Sequence, residues 1–161
     1  MKKTMTRALK ISACYIVKNE AENLVKSIKS LKNQVNEIVV VDTGSTDNTM
    51  TVARKLGAKV YSFPWQDDFS KARNFALSKA KGDWLVLLDA DEYFTANTAG
   101  NIRQIIHQAQ QADALLIQMV NYDVDKAEIQ DYFYQLRIVR NQQGLHYEGK
   151  IHEELKLSEG K

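Results

Sequence analysis

The chain has almost none of the residues that staple, punctuate or anchor a protein. A single cysteine, Cys14, excludes an internal disulfide framework and fits a reducing compartment, so a cytoplasmic location is expected. Cys14 lies inside an apolar run, which predicts a buried, inert thiol rather than a nucleophile. The apolar runs, such as Trp84 to Leu88, are far shorter than the roughly 20 residues that a membrane-spanning helix needs. The start, Met1 to Arg7, is basic but leads into no long apolar segment, so no signal peptide is expected. Charge of one sign is missing too. Lys+Arg 22 against Asp+Glu 20 leaves a net +2, which gives no reason to expect nucleic acid as a partner. Internal repeats, low-complexity tracts and linkers are absent. What is there is 44% hydrophobic residues over 161 positions, which predicts one globular domain, residues 1–161.

The apolar residues fall into alternating periods. Ile11–Val17, Glu37–Val41, Ala58–Phe63 and Trp84–Leu88 read as short buried strands, the third ended by Pro64, the one proline. Between them, Leu24, Ile28 and Leu31 recur at helical spacing, as do Val52, Ala53 and Leu56 before Gly57. Asp47 is the expected N-cap of that second helix. Phe69, Ala72, Ala76 and Ala80 mark a third helix, and a fourth is expected from about Thr98 to Gln111. Two strand-like runs follow, Ala114–Val120 and Phe133–Val139, with Asn121–Asp131 between them as a polar loop or hairpin. Alternating strands and helices predict an α/β fold, with right-handed βαβ units around a parallel sheet. Ligands of such sheets bind beyond the carboxyl ends of the strands.

Three segments at those ends carry chemistry. In "VVVDTGSTDNT" a strand runs into Asp42, then Gly44 permits a tight turn with accessible backbone N–H groups. The segment lacks the Gly-Lys-Ser/Thr of a P-loop and the G-x-G-x-x-G of a dinucleotide turn; an ordinary strand–turn–helix connection is the bland reading. In "DFSKARNFAL", Ala72 and Ala76 leave room for Arg73 to lie over a packed surface and fork toward an anion, whereas Lys71 points elsewhere. In "LVLLDADEY", three carboxylates crowd into four positions after a buried strand, where they repel one another unless a cation joins them. The two-residue period of a strand would project Asp89 and Asp91 to one side, and hard carboxylate oxygens favour Mg2+ or Mn2+. A solvated acidic loop is the alternative.

Read in order, "ISACYIVKNEAENL", "EIVVVDTGSTDNT", "FSKARNFAL", "GDWLVLLDADEYF" and "HYEGKIHEEL" resemble the family 2 glycosyltransferases, in particular bacterial members with Val-Lys-Asn-Glu near the start and Leu-Asp-Ala-Asp-Glu at the metal site. The resemblance runs from about Ile11 to Leu155. It implies a GT-A nucleotide-diphospho-sugar transferase fold, a mostly parallel central sheet flanked by helices, with a short C-terminal part. It also implies a metal-dependent enzyme that moves a sugar from a nucleotide-diphosphate donor to an acceptor nucleophile with inversion. By matching position, Tyr15, Val17, Asn19, Glu20 and Asp42 would border the base and ribose, and Arg73 would contact the nucleotide. Asp89 and Asp91 would hold Mn2+ or Mg2+ against the diphosphate, with Asp91 most directly on the metal and so counted with the catalytic residues. His152 would be a further metal ligand or diphosphate contact, and Glu153 the general base; a charged surface strand is the bland reading of this tail. His107 and His146 read as ordinary surface residues.

Family 2 catalytic domains extend past this point with helices that cover the acceptor cleft. The resemblance therefore implies either a chain truncated at its C-terminus or an acceptor site (for a glycan, lipid or peptide) completed by a partner chain. Two other functions stay open beside the transferase: a non-catalytic nucleotide-sugar-binding module, and a sugar nucleotidyltransferase. The second should carry a glycine-rich basic loop after the first strand, and Lys18-Asn19-Glu20 has no glycine.

Overall fold

The apolar runs that become strands over Ile11–Val17, Glu37–Asp42 and Trp84–Leu87 are buried on both faces, and the reason is a sheet with a layer on either side. In a computed structural model, which describes residues 7–95 and 101–158, the elements are β1 (Ile11–Val17), α1 (Ala21–Ser30), β2 (Glu37–Asp42), α2 (Thr49–Lys55), β3 (Lys59–Ser62), α3 (Phe69–Lys79), β4 (Trp84–Leu87), α4 (Ile102–Gln108), β5 (Ala114–Asp123), β6 (Glu128–Arg140), β7 (Leu145–Glu148) and β8 (Glu154–Leu157). A six-stranded sheet has the order β3-β2-β1-β4-β6-β5, and β7 and β8 form a separate hairpin. The strands β3, β2, β1 and β4 are mutually parallel, whereas β6 is antiparallel to both β4 and β5.

The strand period of two sorts the side chains cleanly. Ile11, Ala13, Tyr15, Val17, Val40, Trp84 and Val86 point to the layer formed by α1, α2 and α4, where they meet Leu24, Ile28, Ala53, Ile102 and Ile106. Cys14, Val39, Val41, Leu85 and Leu87 point the other way, to Ala76 of α3 and to Leu145, Tyr147 and Leu155 of the β7–β8 hairpin. Cys14 is 4% exposed and burial pushes its thiol up to about 12, so the expectation of an inert buried thiol agrees with the structure. Gly82, just before β4, is required by close approach: a Cβ there would stand 2.6 Å from the backbone nitrogen of Ser12.

The structure changes several boundaries. Asp47 is one residue too early to be the N-cap of α2; Asn48 holds that place, and the Asp47 carboxylate instead accepts from the backbone N–H of Thr49 at 2.9 Å in a local turn. The fourth helix ends at Gln108 rather than Gln111, with Ala109 as its C-cap, the Ala109 N–H closing on the Ile105 and Ile106 carbonyls; residues 98–100 of the expected helix lie outside the described residues. The strands β5 and β6 run further than their hydrophobic pattern, and only 124–127 remain as the turn of the hairpin. Asn121 and Asp131 are paired across it, amide to carboxylate, at 2.6 Å. The alternation of half-buried and exposed residues continues in β5 to Met119; from Val120 to Tyr122, and from Glu128 to Gln135 of β6, the hairpin is an arm exposed on both faces, so no burial period marks that outer part in the sequence.

Candidate functional site

The parallel strands β2, β1 and β4 are neighbours, so their carboxyl ends, Asp42, Val17 and Leu87, line one edge of the sheet. At the β2 end, Asp42 is 2% exposed, and its Oδ1 accepts from the N–H groups of Gly44 at 3.0 Å and Ser45 at 2.9 Å. The left-handed φ of Gly44, 122°, makes that turn possible. The second oxygen, Oδ2, is buried without a hydrogen-bond partner among the described residues. A buried carboxylate oxygen in that state costs free energy until a donor reaches it.

The residues expected to border a donor after β1 divide into two groups. Tyr15 and Val17 are core side chains, 1% and 3% exposed, and the Tyr15 hydroxyl bonds Ser27 Oγ at 2.7 Å. Only their backbone is at the edge. Asn19, in left-handed conformation at φ 53°, ties two loops together instead: its Oδ1 accepts from Thr46 N at 2.8 Å, and its own N–H donates to Ser45 Oγ at 2.8 Å. Glu20 is half-buried, with its backbone N–H on Thr49 Oγ1 at 3.0 Å and its carboxylate on Asn23 at 2.9 Å.

Beyond β4 the carboxylates converge, but by a different device from the strand pleat. The strand ends at Leu87, and a turn closed by the Glu92 N–H on the Asp89 carbonyl at 3.0 Å follows. That turn brings one ligand atom each of Asp89, Asp91 and Glu92 within 4.8 Å of one another. Glu92, which the sequence counts in the cluster without giving it a role, therefore belongs to it. His152 is exposed, at φ 55° in the turn between β7 and β8, and stands outside this group.

Two arginines thread the cluster. Arg73 of α3 reaches Asp89 through Nη2 at 2.9 Å and Glu153 through Nε at 2.5 Å. Arg137 of β6 forks on Glu92, Nε at 2.8 Å and Nη2 at 2.6 Å, and stands 3.8 Å from Asp89. Burial opposes ionisation of Asp89, but the charge and hydrogen bond of Arg73 outweigh it and hold its carboxyl below the usual range. Burial pushes Glu92 up, and Asp89 beside it adds to the rise against the pull of Arg137. Arg137 escapes a sequence reading because it sits inside the strand run Leu136–Val139; a lone cation between apolar neighbours was the available signal.

Helix α3 explains how a distant tail reaches this place. Phe69 N–H donates to the Lys150 carbonyl at 3.1 Å, Ser70 Oγ bonds the Gly149 carbonyl, and Asn74 exchanges two bonds with the Tyr147 backbone at 3.0 and 2.7 Å. Asn74 is thus a docking residue for β7, and Arg73 beside it carries Glu153 to Asp89. Lys71, by contrast, is exposed.

The family model described as Glycosyl transferase family 2 matches residues 12–157. A TPR repeat-containing protein of Synechococcus elongatus is 37% identical over 143 residues, covering 89% of this chain and 34% of that protein. An uncharacterized glycosyltransferase of Rickettsia felis is 43% identical over 96 residues, covering 60% of this chain and 34% of that protein. The crystal structure of S. aureus TarS 1-349 in complex with UDP-GlcNAc superposes with a TM-score of 0.60 at 30% identity, over 69% of this chain and 34% of that one. The same protein with UDP gives 0.60 at 29% identity, over 69% and 36%. This chain therefore spans about a third of the length of these relatives, 34% in the first. Its mixed sheet flanked by helices is the GT-A fold. With the match running from β1 to β8, the chain belongs to glycosyl transferase family 2.

Proposed function

We propose that this chain is the donor-binding part of a metal-dependent glycosyltransferase, taking a nucleotide-diphosphate sugar across the carboxyl edge of β2, β1 and β4. The observation that carries this reading is the convergence of Asp89, Asp91 and Glu92 within 4.8 Å, with Arg73 and Arg137 beside them, at the same edge as Asp42. An all-oxygen donor set suits Mg2+ or Mn2+, so the residues present fit such an ion. Asp89 and Asp91 would hold it, and when bound it would offset the negative charge that develops on a departing diphosphate. Asp42 would accept from a donor N–H of the base through its unpartnered Oδ2. Arg73 would turn part of its fork from the carboxylates to a phosphate oxygen.

Glu153 would serve as general base toward the acceptor hydroxyl or thiol, attacking the anomeric carbon from the face opposite the diphosphate and inverting it. Its side chain is 14% exposed and bonded to Arg73, so acting on an acceptor requires that this pair loosen. Turnover and acceptor choice belong to the longer protein that the relatives represent, whether further chain or a partner covers the acceptor. No helix among the described residues is long and apolar enough to cross a membrane.

Calorimetric titration with UDP, UDP-GlcNAc and the other nucleoside diphosphates, in Mn2+ and in EDTA, tests the donor reading. Cation-dependent binding of one nucleotide supports it. Binding that is unchanged by EDTA removes the metal from it, and no binding of any nucleotide overturns it. In a form that turns over, Glu153→Gln should abolish transfer and leave donor affinity near normal; full transfer would move the base elsewhere.

A further inference from the structure

The turn after β4 offers three carboxylates, yet one of them is already fully engaged. Both oxygens of Glu92 are bound by the Arg137 guanidinium, at 2.8 and 2.6 Å, and the two side chains are 15% and 14% exposed. Asp91 is exposed and makes no ion pair among the described residues, and Asp89 is 42% exposed. We infer that Arg137 is a positioning residue that withholds Glu92 from the cation, so that Asp89 and Asp91 alone face it and room is left for the diphosphate oxygens of the donor.

The inference rests on the metal-dependent reading above and deepens it. Three carboxylates within 4.8 Å, left unpaired, would make a stronger chelator of a free divalent ion, because affinity rises with ligand charge count. A transferase needs the opposite balance, a site whose grip on the ion comes largely from the nucleotide. A planar fork is suited to closing both oxygens of one carboxylate, which an ammonium cannot do. The source of the fork is the neighbouring strand of the same sheet: Arg137 of antiparallel β6 stands beside Ile138, whose partner is Val86 of β4, the strand that leads into the Glu92 turn.

The test is a Mn2+ titration followed by electron paramagnetic resonance of the free ion, with and without UDP, on wild type, Arg137→Met, Arg137→Lys and Arg137→Met/Glu92→Gln. Thermal melts establish that each variant is folded. Releasing Glu92 should tighten binding of Mn2+ alone by about tenfold in Arg137→Met and lower the gain from UDP by a similar factor. Arg137→Lys keeps the charge and loses the fork, so it should also bind Mn2+ more tightly than wild type, though less so than Arg137→Met. The double variant should return to wild-type affinity for the ion. Variants Arg137→Met and Arg137→Lys that both bind Mn2+ no more tightly than wild type would overturn the inference and leave the metal site standing. If Arg137→Met does not fold, Arg137→Lys against wild type decides alone. Wild type that binds no Mn2+, with or without UDP, would overturn the metal-dependent reading itself, and the inference with it.

Discussion

The parallel half of the sheet and the antiparallel elements after it are built on different terms. In β1, β2 and β4 nearly every side chain is buried, and two helical layers and a hairpin cover the faces. In the arm of β5 and β6, Leu116, Tyr132 and Tyr134 are 66%, 64% and 66% exposed. The difference teaches which part of the molecule fixes the carboxylates in place. The parallel half fixes the strand ends and their carboxylates, while the later elements contribute the two groups that touch them from outside, Arg137 and Glu153. Both of these groups are only 14% exposed, so the contrast lies between strand ends and what packs over them rather than between buried and solvated chemistry.

The most direct way to break that contrast is to compare truncations across it. Trp84→Ala, in a strand where the side chain is 2% exposed, should cost about 3–5 kcal/mol in urea unfolding. Tyr132→Ser on the arm should stay within about 0.5 kcal/mol of wild type. Equal costs would mean that the arm is part of the core. Next in size, Asp91→Asn should weaken UDP binding in Mn2+ by roughly 10- to 100-fold, with little change in stability, since Asp91 is exposed. Titration calorimetry reads it directly.

Arg73 joins the two halves, so its loss should register in both columns. Arg73→Ala leaves Asp89 and Glu153 without their partner and should cost about 1–2 kcal/mol of stability, moderated by the 42% exposure of Asp89. It should also weaken nucleotide binding, whereas Lys71→Ala should change neither. A variant with normal binding and lowered stability would make Arg73 a purely structural clasp.

The smallest effects are in pH, and they run in opposite directions. Burial works against ionised Glu37, but its bonds to Lys59, the Lys81 N–H and Ser12 hold its pKa below the ordinary 4.5. That contribution is present above pH 4.5 and is lost as pH falls through the lower folded value, so Glu37→Gln should flatten the acid limb of scaffold stability. In the tail hairpin, His146 bonds the Gly144 carbonyl and Glu148, which raises it above 6.5. Its contribution is full below pH 6.5 and is lost as pH rises through the folded value. Protection factors for amide exchange across Leu145–Leu157, corrected for the intrinsic rise of exchange with pH, should therefore fall on the alkaline side, while those of β1 and β2 stay constant.

The same contrast explains what the sequence made legible. Strands β1, β2 and β4 announce themselves because burial on both faces demands continuous apolar residues, and Asp42, Asp89 and Asp91 stand where those runs stop. The arm was cut short because nothing buries its outer half. Glu92 went without a role because the expected geometry was a pleat, and a turn gathers neighbours that a pleat would separate. Tyr15 and Asn19 match family positions by sequence, yet burial and loop bonds occupy their side chains; that conflict is not visible in one dimension. Asn74 has no role assigned from sequence, and its reciprocal amide bonds to Tyr147 are a contact across 73 positions that no local pattern encodes.

Such separations also set an order of events in folding. Strand β1 pairs with β2 about one supersecondary unit away, but its other neighbour, β4, is reached only through the Ile11–Trp84 register, and Arg73 meets Glu153 across 80 positions. Non-local closures are slow because their chain entropy is lost before their contacts repay it. The acidic cluster should thus gain its Arg73–Glu153 clasp in the final phase of refolding, after the parallel strands have paired. A nucleotide gripping Asp89 and Arg73 would then stabilise contacts that the transition state lacks, and it should slow unfolding while leaving the folding rate almost untouched.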